Sequence, residues 1–78
     1  FGRYDVMLEP FDKSKTAYIL EFKVHNPRTE ASLEETVSKA LLQIDEKNYD
    51  AELIADGFKK EQICHFGFAF EGKHVLIG

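Results

Sequence analysis

The segment Ala17-Tyr18-Ile19-Leu20-Glu21-Phe22-Lys23-Val24 is an apolar run that one acid and one base interrupt, two residues apart. Such a run predicts a β-strand, in which successive side chains point to opposite faces. Glu21 and Lys23 therefore share a face. The other face, which we expect to pack in the core, comprises Tyr18, Leu20, Phe22 and Val24. Charges on a mostly buried strand are costly unless they are paired or bound. Glu21 and Lys23 are therefore the first candidates for a functional site.

The composition is that of one small folded domain. The chain has 78 residues, of which 44% are hydrophobic and 31% charged, with a net charge of −4. A chain of this length buries only about 60% of its unfolded surface, so its core is marginal. No apolar run approaches the roughly 20 residues that span a bilayer, and we expect no membrane partner. The single cysteine, Cys64, excludes an internal disulfide and fits a reducing compartment, so we expect the cytoplasm.

The start of the chain suggests a larger parent protein. The first residue is Phe1 rather than Met, and a predicted strand follows at once. We therefore expect residues 1–78 to be a single domain of a longer chain. Apolar surface near its ends would be covered by the remainder of the parent chain or by a second copy in a homodimer.

Four strands are predicted from period-two alternation of apolar and polar residues. Residues 3–9 and 17–24 flank a polar turn at 12–15, so we expect them to pair as an antiparallel hairpin. Residues 61–70 and 73–77 alternate in the same way on either side of a tight turn.

Two helices are predicted between these pairs of strands. Ser32 and Glu35 fit a capping box, which marks the start of the first helix. Its expected buried stripe comprises Leu33, Val37, Ala40, Leu41 and Ile44. Lys47-Asn48 interrupts the helical pattern, and residues 49–56 predict a second, short helix with Gly57 as its C′ residue.

The order strand, strand, helix, helix, strand, strand predicts an α/β domain with a mixed sheet. The long helical connection after residue 24 is typical of a right-handed crossover between parallel strands. Gly67 and Ala69 share one face of the third strand and are small enough to lie under a helix. We therefore expect the helices to pack on the sheet.

A candidate site follows from this pairing of strands. Asp5 lies near the start of the first strand and Glu21 toward the end of the second, so an antiparallel hairpin places them nearly opposite. If their faces match, two carboxylates converge with the Lys23 ammonium beside them. Two carboxylates with water suit a hard Mg²⁺ ion, which can polarise a phosphoryl oxygen. A lysine can stabilise the developing negative charge, so the arrangement suits phosphodiester hydrolysis.

These residues, in this order, resemble the PD-(D/E)XK nuclease superfamily: Asp5, then Glu21-Phe22-Lys23, then a helix that carries Gln43. More narrowly, the chain is similar to the small C-terminal nuclease-like domain of predicted AAA-type ATPases. The similarity also includes Gly2, Ile19, Ala40, Ile44, Tyr49, Gly57-Phe58 and the stretch from Gly67 to Lys73. The chain departs from the superfamily at Tyr4, where Pro is usual, and we expect it to lack the helix and first strand with which that core normally begins.

The resemblance implies a restriction-endonuclease-like fold and a nucleic-acid substrate. It implies that Asp5 and Glu21 are metal-binding acids for Mg²⁺ or Mn²⁺ and that Lys23 is the catalytic lysine. Gln43 matches a helix glutamine that some of these nucleases add to the site.

Three functions stay open on the sequence alone. The first is a metal-dependent nuclease. The second is an inactive nuclease-fold module that docks within a larger ATPase-containing protein. The third is an α/β interaction domain, in which Glu21 and Lys23 form only a surface ion pair and Asp5 is an ordinary strand acid. His25 is expected to be a solvated loop residue, and Tyr49 a core or helix-junction aromatic.

Overall fold

The computed structural model describes residues 3–78, with the backbone alone at Arg3. Gly2, part of the resemblance above, lies outside the described residues. The elements are β1 (Arg3–Leu8), β2 (Ala17–Val24), α1 (Leu33–Lys47), α2 (Tyr49–Ala55), a 3₁₀ turn (Lys60–Gln62), β3 (Ile63–Glu71) and β4 (His74–Ile77). This confirms the predicted order of strands and helices, with bounds close to the predicted ones. No helix between residues 3 and 78 is long and apolar enough to cross a membrane.

The four strands form one mixed sheet in the order β1-β2-β3-β4. β1 and β2 pair antiparallel, β2 and β3 pair parallel, and β3 and β4 pair antiparallel. The two helices lie in the connection between the parallel strands, as parallel neighbours require. The predicted α/β fold class is therefore confirmed.

The core lies on the opposite face of β2 from the one predicted. Ala17, Ile19 and Glu21 are 0% exposed, whereas Tyr18 is 37% and Val24 54% exposed. The prediction that Tyr18, Leu20, Phe22 and Val24 form the core face is therefore wrong. Alternation alone does not decide which of two apolar faces a helix covers. Small residues decide it here, because they let a helix approach the sheet more closely than a row of aromatic rings does.

Gly67 on β3 shows how closely α1 approaches. A Cβ atom built there would lie 3.0 Å from the Val37 carbonyl oxygen and 3.1 Å from the Ala40 Cβ. Ala69, two residues along the same strand, is fully buried. The expectation that Gly67 and Ala69 lie under a helix is confirmed, and this close contact fixes α1 against the sheet.

The other face carries stacked aromatic rings and is here called the aromatic face. The Tyr4 and Phe22 ring centroids are 4.8 Å apart, and those of Phe22 and Phe68 are 4.7 Å apart, with the planes nearly parallel. Each ring therefore turns its flat side toward its neighbour on the next strand. Such cross-strand pairs stabilise the sheet by direct contact, even where a side chain as exposed as Tyr4 is only partly covered.

α1 begins and ends where the sequence predicts, but the capping box is incomplete, because Glu35 binds the N–H of Ala31 instead of that of Ser32. The Ser32 hydroxyl accepts the Glu35 N–H at 3.2 Å, and the Glu35 carboxylate accepts the Ala31 N–H at 3.2 Å. At the far end Asn48 adopts the left-handed conformation, with φ of 56°. Asn48 tolerates this conformation better than most residues. It separates α1 from α2, so that Lys47 is the last residue of α1.

Candidate active site

Asp5 and Glu21 are directly opposite one another across β1 and β2. Side chains of directly paired residues lie on the same face of a sheet. Both carboxylates therefore lie on the helix-covered face. Glu21 is fully buried, whereas the Asp5 side chain is partly exposed. The pair thus extends from the interior to the surface.

Glu21 is bordered on its other side by Gly67 of β3, its direct partner there. Because Gly67 has no side chain and α1 lies close above it, the helix and the sheet enclose this side of the glutamate. Asp5, on the edge strand β1, is the solvent-exposed member of the pair.

Two donors from the junction of α1 and α2 bind the Asp5 carboxylate. Lys47 Nζ lies 2.6 Å, and the Tyr49 hydroxyl 2.7 Å, from the same oxygen, Oδ2. The hydrogen bond to Asp5 raises the pKa of Lys47; burial opposes this rise, and the charge of Glu21 adds to it. The same carboxylate, followed by burial, raises the pKa of Tyr49. Lys47 is therefore a protonated cation that interacts with both acids.

The Lys23 ammonium binds a third acid, Glu30, with Nζ 2.7 Å from Oε2. Glu30 is only 3% exposed, and its other oxygen accepts the Asn26 N–H at 2.7 Å and the Thr36 hydroxyl at 2.8 Å. Burial disfavours the charged form of Glu30, but these donors and Lys23 outweigh it and lower its pKa to about 2. Glu30 is thus ionised at neutral pH and holds Lys23 at a defined place.

His25 belongs to the same group of contacts. Its side chain is buried, with Nδ1 2.7 Å from the Thr36 hydroxyl and 3.5 Å from Glu30 Oε1. The expectation of a solvated loop histidine is therefore wrong, because the loop folds inward around Glu30. We call this group of residues the Glu30 network; it comprises Lys23, His25, Asn26, Glu30 and Thr36.

Gln43 lies on α1 one turn before Lys47, and residues four apart share one side of a helix. The four-residue spacing from Gln43 was the sequence signal that could have pointed to Lys47 as a residue near the site.

Glu30 lies in a loop, where no periodicity distinguishes it from other acids. The structure brings Asp5 and Glu21 together on paired strands, and it places the Lys23 ammonium on Glu30.

Comparison with known proteins decides the family. The model of the PD-(D/E)XK nuclease superfamily matches residues 1–78, the whole chain. The chain belongs to this superfamily. No curated protein and no solved structure gives a significant match. The similarity to domains of AAA-type ATPases stays a prediction.

Membership of the PD-(D/E)XK superfamily implies a nuclease-like function and nucleic-acid binding. The mixed sheet with its two helices is consistent with the restriction-endonuclease-like fold. Nucleases of the superfamily generally use divalent metals.

The carboxylate pair has the chemistry of a hard-cation site rather than a zinc site. No group of three or more His, Cys, Asp or Glu residues within residues 3–78 is placed to hold a metal ion together. Mg²⁺ usually keeps several waters and takes only one or two carboxylates from the protein. The Lys47 ammonium already lies against Asp5 and interacts with Glu21, so this position favours positive charge. Asp5 and Glu21 therefore fit a divalent ion.

Proposed function

We propose that this chain is a metal-dependent nuclease domain that hydrolyses nucleic-acid phosphodiesters. The observation that carries the proposal is the direct pairing of Asp5 with Glu21 on one face of the sheet, in a chain of the PD-(D/E)XK superfamily. These two carboxylates would hold Mg²⁺ or Mn²⁺. A divalent ion supplies, when bound, a Lewis acid that polarises the phosphoryl oxygen and a source of hydroxide near neutral pH.

Lys23 is proposed to stabilise the negative charge that develops on the phosphate. It lies two residues after Glu21 on β2, so both side chains start from the same face. Its bond to Glu30 limits the rotamers of the Lys23 side chain and so holds the positive charge in one place. A fixed positive charge costs little reorganisation when the charge of the phosphate changes.

Gln43 is proposed to contribute an amide beside the carboxylate pair. It is half-buried on α1, which packs on β2 and β3. An amide offers both a donor and an acceptor, so it can orient either a water molecule or a phosphate oxygen.

A second function is an inactive module that keeps the nuclease fold and docks within a larger, ATPase-containing protein. The observation that favours it is the 2.7 Å bond between Lys23 and Glu30, because a lysine held by another acid is less available to a phosphate. This module would bind nucleic acid or a protein segment without cleaving it.

The test is cleavage of labelled single-stranded DNA, duplex DNA and RNA with Mn²⁺ or Mg²⁺, and with a chelator. We expect metal-dependent cleavage that falls at least about 100-fold in Glu21→Gln and in Lys23→Met, the range for lost groups that stabilise transition-state charge. Lys60→Met, an exposed change in the 3₁₀ turn, is the control and should keep full activity. Circular dichroism of each variant checks the fold.

The outcomes separate the two functions. Salt-sensitive nucleic-acid binding without cleavage in any metal would favour the inactive module. Cleavage that persists in both Glu21→Gln and Lys23→Met would contradict the proposed site.

A further inference from the structure

The cation next to the carboxylate pair is Lys47, a residue that no part of the proposed reaction uses. Its Nζ lies 2.6 Å from Asp5 Oδ2, and Asp5 is directly paired with Glu21. The contact joins the last residue of α1 to the edge strand, across a large separation in sequence. We propose that the Lys47 ammonium occupies the cation position of the Asp5–Glu21 pair and that a divalent ion must displace it to bind. This inference rests on the metal site proposed above.

Lys47 and a metal ion would compete for the same carboxylate, that of Asp5. A metal takes a carboxylate oxygen at about 2.1 Å, whereas the ammonium already lies on Asp5 Oδ2 at 2.6 Å. A monovalent and a divalent cation on one carboxylate would lie a few ångströms apart and repel each other, and the burial of Glu21 limits the screening by water. The two cations therefore exclude one another, and Lys47 lowers the apparent metal affinity.

The Lys47 side chain can leave the carboxylate pair by moving into solvent. Its side chain is 32% exposed and stands at the end of α1, just before the left-handed Asn48. A lysine has a flexible four-carbon stem, so the ammonium can move to solvent without movement of the helix. Tyr49 stays behind as a neutral donor to Asp5 and does not repel a metal ion. Lys47 thus sets the affinity of the site, while Tyr49 orients the carboxylate.

Lys39 provides a matched control. It lies on the same helix, is 39% exposed, and contacts the acids Glu30 and Glu35 instead of Asp5. Removing its charge changes the net charge of the protein as much as removing that of Lys47. Only a local effect at the carboxylate pair can therefore separate the two variants.

The experiment is isothermal titration of Mn²⁺ into the purified chain at neutral pH, for the wild type, Lys47→Met and Lys39→Met. We expect Lys47→Met to bind Mn²⁺ at least about tenfold more tightly than the wild type, since one competing charge is gone. We expect Lys39→Met to stay within about twofold of the wild type, because exposed charges at a distance are screened. Lys47→Gln serves as a second variant if Lys47→Met folds poorly.

Thermal unfolding supplies a second readout that does not depend on activity. Without metal, Lys47→Met should melt below the wild type, because two carboxylates then face each other without the ammonium. With saturating Mn²⁺ the difference should vanish or reverse.

The titrations distinguish a failure of the proposed competition from a failure of the proposed metal site. If the wild type binds Mn²⁺ and Lys47→Met binds it equally or more weakly, the proposal that Lys47 competes with the metal is wrong. The proposed metal site is not affected by that result. If neither the wild type nor Lys47→Met binds Mn²⁺, or if Asp5→Asn with Glu21→Gln binds it as well as the wild type, the metal site is wrong and the proposed competition is wrong with it.

Discussion

The Lys23 ammonium donates to the buried Glu30 carboxylate at 2.7 Å, although Lys23 lies only two residues from Glu21 on the same strand. The lysine that binds an acid of the carboxylate pair is Lys47, which comes from the end of a helix. Lys23 and Lys47 thus bind two separate acidic centres, Glu30 and the Asp5–Glu21 pair.

Glu30→Gln should destabilise the fold by about 1–3 kcal/mol at neutral pH, because it weakens the charge-assisted bonds of a buried carboxylate. The amide keeps the shape, so the loss measures the charge of the Glu30 network. Urea unfolding followed by circular dichroism gives the free energy of unfolding. Glu46→Gln, an exposed change on α1, should alter that free energy by less than about 0.5 kcal/mol. Equal losses in the two variants would contradict a special role for Glu30.

The acid dependence of stability should carry the signature of Glu30. Its pKa is lowered to about 2 from an ordinary value of 4.5, so its contribution is fully present above pH 4.5 and disappears as the pH falls toward 2. The charged or titratable groups that face it are Lys23, His25 and Lys39. Glu30→Gln should therefore lose less stability than the wild type between pH 4.5 and 2. If the stabilities of the wild type and Glu30→Gln fell in parallel with pH, Glu30 would not be the group that causes the loss of stability in acid.

Gly67→Ala should cost about 1–3 kcal/mol, the usual penalty for overpacking, since its new methyl group would lie 3.0 Å from the Val37 carbonyl oxygen. Gly72→Asn is the matched control: Gly72 has φ of 58° and open space around it, and Asn tolerates that conformation. Thermal unfolding of both variants gives the comparison. A neutral Gly67→Ala would mean that α1 can shift away from β3 without loss.

Tyr49→Phe should lower the free energy of unfolding by about 1 kcal/mol, because the Asp5 carboxylate loses one of its donors. Tyr4→Phe makes the same chemical change on the aromatic face and preserves the ring stacking. Urea unfolding of both variants, without added metal, measures the difference. A larger effect at Tyr4 than at Tyr49 would contradict a structural role for the Tyr49 hydroxyl at Asp5.

Sequence periodicity predicts the order of strands and helices here because each element has a clear start or end signal, such as Ser32 for α1 and Asn48 after it. It does not predict which face of β2 is covered. Both faces are largely apolar, and the choice depends on Gly67 and Ala69 of β3, which meet β2 only in the folded sheet.

The sequence predicts one part of the candidate site and not the rest. Asp5 and Glu21 belong to one hairpin, so their pairing follows from local register. The partner of Lys23 does not, because Glu30 lies in an irregular loop whose path depends on α1. The Lys47–Asp5 contact also depends on how far α1 extends across the sheet.

The Asp5–Glu21 pairing is local in sequence, whereas the Lys47–Asp5 contact is not. The β1–β2 hairpin closes a short loop, whereas α1 and α2 separate β2 from β3 along the chain, and long loops close more slowly. The hairpin therefore meets its two opposed negative charges before the helix brings a positive one, and like charges directly opposite weaken a strand pair. We expect Lys47→Met to accelerate unfolding and to leave the folding rate nearly unchanged in stopped-flow measurements, the pattern of a contact that forms late in folding.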